Sequence, residues 1–258
     1  MHEIIIRGKN SFIGKNIIKK KVKNKKIRIY NKNLISNKKS FFLHLSSQTS
    51  VPKSFKNPAE TIKTNLNLLI ETLEYCKKNK LKLIFFSTAY QKENGNFTSP
   101  YAYSKFLCEN LCKIYSEKLK IDVCVLRLTN IYGKYQKKKL VPDIIKKMSK
   151  NKKINLVNYS LSRDYVYVDD LILALEKIVK FFPNGYNCFT ISQNKNLKII
   201  DVCSIIKVAL NSKTKIVKKK NKNNQSFFKN KKIDSTKFRR KFKWFPKFNF
   251  EEGLKNIL

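Results

Sequence analysis

The stretch SPYAYSK, residues 99–105, sets two tyrosines ahead of one lysine. Side chains four apart on a helix share a face and those two apart do not, so Tyr101 stands beside Lys105 and Tyr103 does not. A phenol titrates near ~10 unaided, and a neighbouring ammonium favours the phenolate. Such a tyrosine can pass a proton to or from a hydroxyl or ketone while hydride moves to or from a nicotinamide. The same spacing also describes an ordinary amphipathic helix pair, and alone it does not decide between the two.

A second group lies at the start of the chain, where the apolar run EIIIR enters GKNSFIG, with Gly8, Ser11 and Gly14 at three-residue intervals. In a phosphate-binding turn the outer positions need glycine for the bend and for close helix packing. The middle one lets backbone approach a pyrophosphate at a helix N-terminus. Ser11 adds a Cβ at that middle position, which predicts weaker dinucleotide binding. Where an acidic residue would hold a ribose 2′-hydroxyl, the second strand ends in Asn31 and Lys32, an exchange that leans toward NADP.

These residues need a scaffold. Short β-rich runs alternate with longer amphipathic stretches, the pattern of an α/β fold with a doubly wound parallel sheet. Strands are expected near 3–7, 26–30, 41–45, 81–86 and 121–127, and helices near 12–22, 58–79, 99–119 and 169–181. Only about ten residues separate the second strand from the third, too few for the usual crossover helix. One side of the sheet is therefore expected to be thin, with a strand and helix missing. The lysine- and asparagine-rich segment 218–232 is expected to be a mobile charged loop.

The chain has 258 residues and a formal charge of +40, with 57 Lys plus Arg against 17 Asp plus Glu. Clustered cations are what neutralise a nucleic-acid backbone. Here lysine is spread through asparagine, isoleucine and phenylalanine, the residues of an AT-rich coding sequence, and arginine is scarce. Solvated lysine faces with only non-specific nucleic-acid binding and a selected polyanion surface both remain open. The six cysteines show no CxxC pair and no histidine partner, so no metal site or disulfide framework is expected. With no run of ~18–20 apolar residues and no room for a signal peptide before the first strand, a cytoplasmic protein outside the membrane is expected.

Taken together, IIIRGKNSFIGKNI, the segment from FFLHLSSQTS to the helix after it, LIFFSTAY, SPYAYSK, LRLTNIYGKYQ, VPDIIKKM, SRDYVYVDDLILAL and the closing IDSTKFRRKFKWFPKFNFEEGLKNIL are similar to successive segments of one family. It is the extended short-chain dehydrogenase/reductase family, in its NAD-dependent epimerase/dehydratase group acting on nucleotide sugars. The resemblance implies a Rossmann-type sheet over 1–157, also receiving 158–181, and a small C-terminal substrate-binding lobe from 182–258 with 134–164. It implies Tyr101 as acid/base, Lys105 lowering the tyrosine and holding the nicotinamide ribose, and Thr88 bonding the reacting oxygen. Gly8, Ser11, Phe12, Ile13 and Gly14 would surround the pyrophosphate of NAD or NADP. The strand carrying His44, Leu45 and Ser46 would pass beneath the cofactor. Asn130 would line the cleft and Arg163 would contact the diphosphate of a nucleotide-diphosphate sugar.

Dehydratases of that family follow the threonine with an acidic pair, whereas Thr88 precedes Ala89 and Tyr90, so epimerisation or reduction of a 4-keto sugar is expected instead. A homodimer through the helix bearing Tyr101 is also implied. The rival is a catalytically degenerate Rossmann protein that binds RNA or another polyanion.

Overall fold

The structure is a computed structural model and describes residues 3–22, 25–31, 33–34, 40–93, 95–219 and 232–258. The chain runs β1 (Glu3–Arg7), α1 (Phe12–Lys20), β2 (Lys26–Ile29), β3 (Phe41–His44), α2 (Val51–Lys56), α3 (Pro58–Asn79) and β4 (Lys82–Thr88). A hairpin β5 (Lys92–Glu93) and β6 (Asn96–Phe97) leads to α4 (Pro100–Leu119), β7 (Val123–Leu128), β8 (Asn130–Tyr132), α5 (Leu140–Met148), β9 (Ile154–Leu156) and β10 (Ser162–Tyr167). There follow α6 (Val168–Lys180), β11 (Tyr186–Ile191), β12 (Asn196–Lys198), α7 (Ile199–Ala209), β13 (Ile216–Lys218), α8 (Thr236–Phe242) and α9 (Phe250–Lys255).

Six parallel strands form the main sheet in the order β11-β7-β4-β3-β1-β2. The apolar runs of β1, β3, β4 and β7 are continuous because both faces of these strands are covered. Ile5, Phe42, Leu83, Phe85, Val123 and Val125 pack with Leu69, Leu73 and Cys76 of α3 and Cys108 and Cys112 of α4. Ile4, Ile6, Leu43, Ile84 and Leu126 join Ile17 of α1 and Leu171, Leu175 and Ile178 of α6 on the other side. Each such side chain stabilises the fold by about 1.5–3 kcal/mol on burial, so the two layers hold the strand ends in fixed register.

From β1 the chain moves outward to β2, then crosses back over β1 to β3 and continues the other way. The C-terminal ends of β1 and β3 therefore flank a topological switch point, where open parallel sheets bind ligands. No helix or strand lies between β2 and β3 among the described residues. β2 is the sheet edge, with Lys26 and Ile29 exposed. The stretch from 220 to 231 of the lysine-rich segment lies outside the described residues.

Two parts of the chain differ from expectation. A short helix, α2, is fastened after β3 by Ser50, whose hydroxyl accepts from the Lys53 amide. The sixth sheet strand, β11, comes from 186–191, within the stretch expected to build the lobe, because Phe189 and Ile191 are buried against the sheet while alternate residues are half-exposed. Beside the main sheet stand the smaller β12-β10-β8 and β13-β9 sheets. No helix among the described residues is long and apolar enough to cross a membrane.

Candidate active site

The turn after β1 is shaped by contact. Gly8 has φ +104°, and a Cβ there would lie 2.9 Å from the Leu45 carbonyl carbon and 3.0 Å from the Ser46 amide. A Cβ on Gly14 would lie 2.4 Å from the Gly8 carbonyl oxygen. Both glycines thus let helix α1 and the chain after β3 close on the turn. Gly14→Ala is expected to cost about 1–3 kcal/mol and to weaken dinucleotide binding. An unfolding midpoint equal to that of the unsubstituted protein would show that α1 can back away.

Ser11 does more than add bulk. It is the N-cap of α1, its hydroxyl accepting from the Gly14 amide at 3.0 Å, while its own amide donates to Gly8 O at 3.0 Å. Four N-terminal amides lack intrahelical acceptors; that of Ser11 meets Gly8 O and that of Gly14 meets the Ser11 hydroxyl. Those of Phe12 and Ile13 remain to meet an anion.

A cavity of ≈ 630 Å³ opens beside the turn, lined by Gly8, Ser11, Tyr30, Leu45 and Ser46 among others. Arg7 lies in its wall, donating to Leu68 O at 2.9 Å and Thr72 Oγ1 at 3.1 Å and pairing with Glu71 at 2.6 Å. Asn31 is exposed and its side-chain oxygen accepts from the Asn33 amide at 3.0 Å, so it caps a local turn, and it lines neither this cavity nor the larger cleft. Lys32 lies outside the described residues.

A second cleft of ≈ 880 Å³ adjoins the first, with Ser11, Leu45 and Ser47 bordering both. Thr88, Tyr101 and Lys105 all line it. Their positions follow from local signals: Ser99 caps α4 by accepting from the Ala102 amide at 3.1 Å, and Pro100 opens the helix. Tyr101 and Lys105 are one turn apart on the cleft side. Tyr103 is 38% exposed and meets the Phe97 ring at 4.8 Å, away from the cleft.

Lys105 is 3% exposed. Its ammonium donates to Ser47 Oγ and to Phe86 O, each at 2.8 Å, and sits 4.7 Å from the Phe85 ring centroid. Burial pulls it down to about 8, against smaller upward effects from Cys108, Cys112 and Glu109. Burial pushes the Tyr101 phenol above the ordinary tyrosine range, with Cys108 adding to the effect. The lowering expected from Lys105 does not appear among the influences on this phenol, which burial and Cys108 set. Thr88 Oγ1 accepts from the Tyr90 amide at 3.2 Å, and its hydroxyl proton can serve another acceptor.

Asn65 on α3 ties this region together. Its amide group bonds Gln48 N at 2.7 Å, Gln48 O at 3.1 Å and Ser104 Oγ at 2.9 Å, joining the chain after β3 to α4. His44, 1% exposed, shares a 2.8 Å hydrogen bond with Thr72 Oγ1, and burial with the charges of Lys105 and Arg7 keeps it neutral.

On the far wall, Asn130 Nδ2 donates to the Tyr90 hydroxyl at 3.1 Å and to Asp164 O at 3.0 Å. Tyr90 also accepts from the Asp164 amide at 3.2 Å, and the Arg163 guanidinium lies 5.9 Å from its ring. Asn130 thus lines the cleft while fixing Tyr90. Asp164 is fully buried and accepts from Thr129 Oγ1, Ser192 Oγ and the amides of Gln193 and Lys195. Sequence reasoning missed Ser47, Asn65 and the anchoring role of Asp164, whose partners lie 17 to 58 residues away in the chain. The adjacent serines of HLSSQ were the one local hint.

Residues 31–188 match the sequence profile of the NAD dependent epimerase/dehydratase family. The chain belongs to this family. A curated relative, CDP-abequose synthase of Salmonella muenchen, is 32% identical over 212 residues, 78% of this chain and 70% of that protein. A putative UDP-glucose 4-epimerase of Methanocaldococcus jannaschii is 24% identical over 304 residues, covering 99% and 97%. The same fold occurs in a Thermotoga maritima UDP-glucose 4-epimerase solved with UDP-glucose, at TM-score 0.85, 23% identity and 99% and 97% coverage. It also occurs in RMD from Pseudomonas aeruginosa complexed with NADPH, at TM-score 0.86, 17% identity and 100% and 98% coverage.

The residues of this family member fit the nicotinamide dinucleotide implied by the family. The Gly8 and Gly14 positions leave a cradle that a Cβ would fill, and the two adjoining cavities run from that cradle to Tyr101. Gly8, Ser11, Phe12, Ile13 and Gly14 would hold the pyrophosphate, with Leu45 and Ser46 beneath it and Lys105 at the nicotinamide ribose.

Proposed function

We propose that this chain is an NAD(P)-dependent enzyme that reduces a 4-keto nucleotide sugar or epimerises a nucleotide sugar at C4. The observation that carries the reading is the convergence of Thr88, Tyr101 and Lys105 on one cleft beside the glycine turn. When bound, the nicotinamide supplies or accepts a hydride. Tyr101 gives or takes the proton at the sugar oxygen, Thr88 donates a hydrogen bond to that oxygen, and Lys105, braced by Ser47 and Phe86 O, holds positive charge next to both. Arg163 and Asn130 line the substrate side, Arg163 toward a diphosphate.

Among the described residues lining this cleft there is no aspartate or glutamate. Elimination of water needs an acid and a base at adjacent carbons, so this lining supports epimerisation or reduction over dehydration. Burial raises the Tyr101 phenol, and the protonated phenol can donate to a ketone oxygen. The missing carboxylate at Asn31 favours NADP. Exposed Ile70 on α3 and Ile114 on α4 leave apolar surface where a homodimer contact would form.

A fluorescence titration with NADH and NADPH at physiological salt tests the reading. Saturable binding with a preference for NADPH, followed by NADPH oxidation on addition of a 4-keto nucleotide sugar, is expected. Failure to bind either dinucleotide, with salt-sensitive RNA binding in its place, would overturn it in favour of a polyanion binder.

A further inference from the structure

Tyr165 on β10 is 5% exposed and lines the substrate side of the larger cleft. Its ring is held edge-on by Phe250 at 5.5 Å and by Tyr132 at 6.4 Å. Its hydroxyl is buried and has no hydrogen-bond partner among the described residues. A buried hydroxyl in that condition carries an uncompensated desolvation cost, and phenylalanine would fill the same space without it. The orphaned atom therefore points to a partner that enters the cleft from outside.

The strand says which part of a ligand would meet it. Residues two apart on a strand point to the same face, ~6.6–6.8 Å apart, so Tyr165 follows Arg163 along one face of β10. Tyr165 is also in register with Asn130 of β8. Asn130 in turn bonds Tyr90, two residues beyond Thr88. Tyr165 thus shares one wall of the cleft with Arg163, Asn130 and Tyr90. A nucleotide sugar whose diphosphate met Arg163 would bring its sugar ring to this wall.

We propose that the Tyr165 hydroxyl reads the hexose of the substrate, hydrogen-bonding one of its hydroxyl groups and setting which sugars are accepted. The inference rests on the nucleotide-sugar reading given above. Burial keeps the phenol protonated, so it can donate as well as accept.

The test compares Tyr165→Phe with the unsubstituted full chain in the presence of saturating NADPH. Binding is measured for UDP-glucose, CDP-glucose and dTDP-glucose and for UDP, CDP and dTDP. A loss of about tenfold for at least one sugar nucleotide, corresponding to one hydrogen bond, is expected, with the matching nucleoside diphosphate and NADPH unchanged. The unfolding midpoint should equal or exceed that of the unsubstituted protein. Equal losses for a sugar nucleotide and its diphosphate would move the contact to the nucleotide and overturn the proposal, as would no loss at all. A lower midpoint with unchanged binding would make the hydroxyl a structural group and also overturn it. If the unsubstituted chain bound dinucleotide but none of the six probes, the nucleotide-sugar reading itself would fall, taking this inference with it.

Discussion

Replacing Tyr101 with phenylalanine should lower turnover about 10²–10⁴-fold, the range for losing a positioned general acid, while leaving dinucleotide affinity nearly unchanged. The ring would still fill its place at the start of α4, because Ser99 and Pro100 fix that turn without the hydroxyl. Turnover measured at saturating substrate, beside a dinucleotide titration, separates the two effects. Retained turnover would remove Tyr101 from the mechanism. The same pair of residues predicts a pH profile for the reductive direction. Lys105 carries its proton below about 8 and loses it above, so kcat/KM should fall as pH rises through that value. Lys105→Arg should shift the fall upward, since arginine stays protonated.

Asp164→Ala should lower stability by about 1–3 kcal/mol, read as a shift in denaturant midpoint. The hydroxyls of Thr129 and Ser192 can turn to the carbonyls of Ile191 and Ile233, which already lie within 3.2 Å. The amides of Gln193 and Lys195 cannot turn; exposed Lys195 can donate to water, whereas the half-buried Gln193 amide left without an acceptor costs about 1–3 kcal/mol. Part of this is offset because burial raises the Asp164 carboxyl, so removing it recovers desolvation energy. Affinity for nucleotide sugar should fall as well, because the Asp164 backbone helps to hold Asn130 and Tyr90. An unchanged midpoint would show that the four hydrogen bonds contribute little.

What the sequence revealed follows from where its signals are local. Helix α3 is legible at both ends because Pro58 can open a helix and Leu81 begins the next buried run. The Tyr101 and Lys105 pairing is legible because helical spacing alone excludes Tyr103. Helix α2 was missed because six residues with a proline near their start resemble a loop. Strand β11 was missed because YNCFTI shows no clean alternation, being half-covered on one side. The Ser47 to Lys105 contact spans 58 residues, and no spacing rule could bring the two together. Desolvation of Tyr101 was equally hidden, since it depends on how α4 settles against the sheet and not on any neighbour in the chain.

The Ser11 cap has a thermodynamic consequence. Because its hydroxyl already satisfies the Gly14 amide, the first turn of α1 does not need a bound anion to complete its hydrogen bonds. Association with a pyrophosphate should therefore resemble docking onto a preformed shape, with little ordering of the loop and a correspondingly small entropic penalty. One fewer amide reaches the anion, which lowers the enthalpy gained. The exchange of Gly for Ser thus moves the site toward weaker but more rigid recognition, a balance visible by calorimetry as a smaller favourable heat and a smaller opposing entropy than in Ser11→Gly.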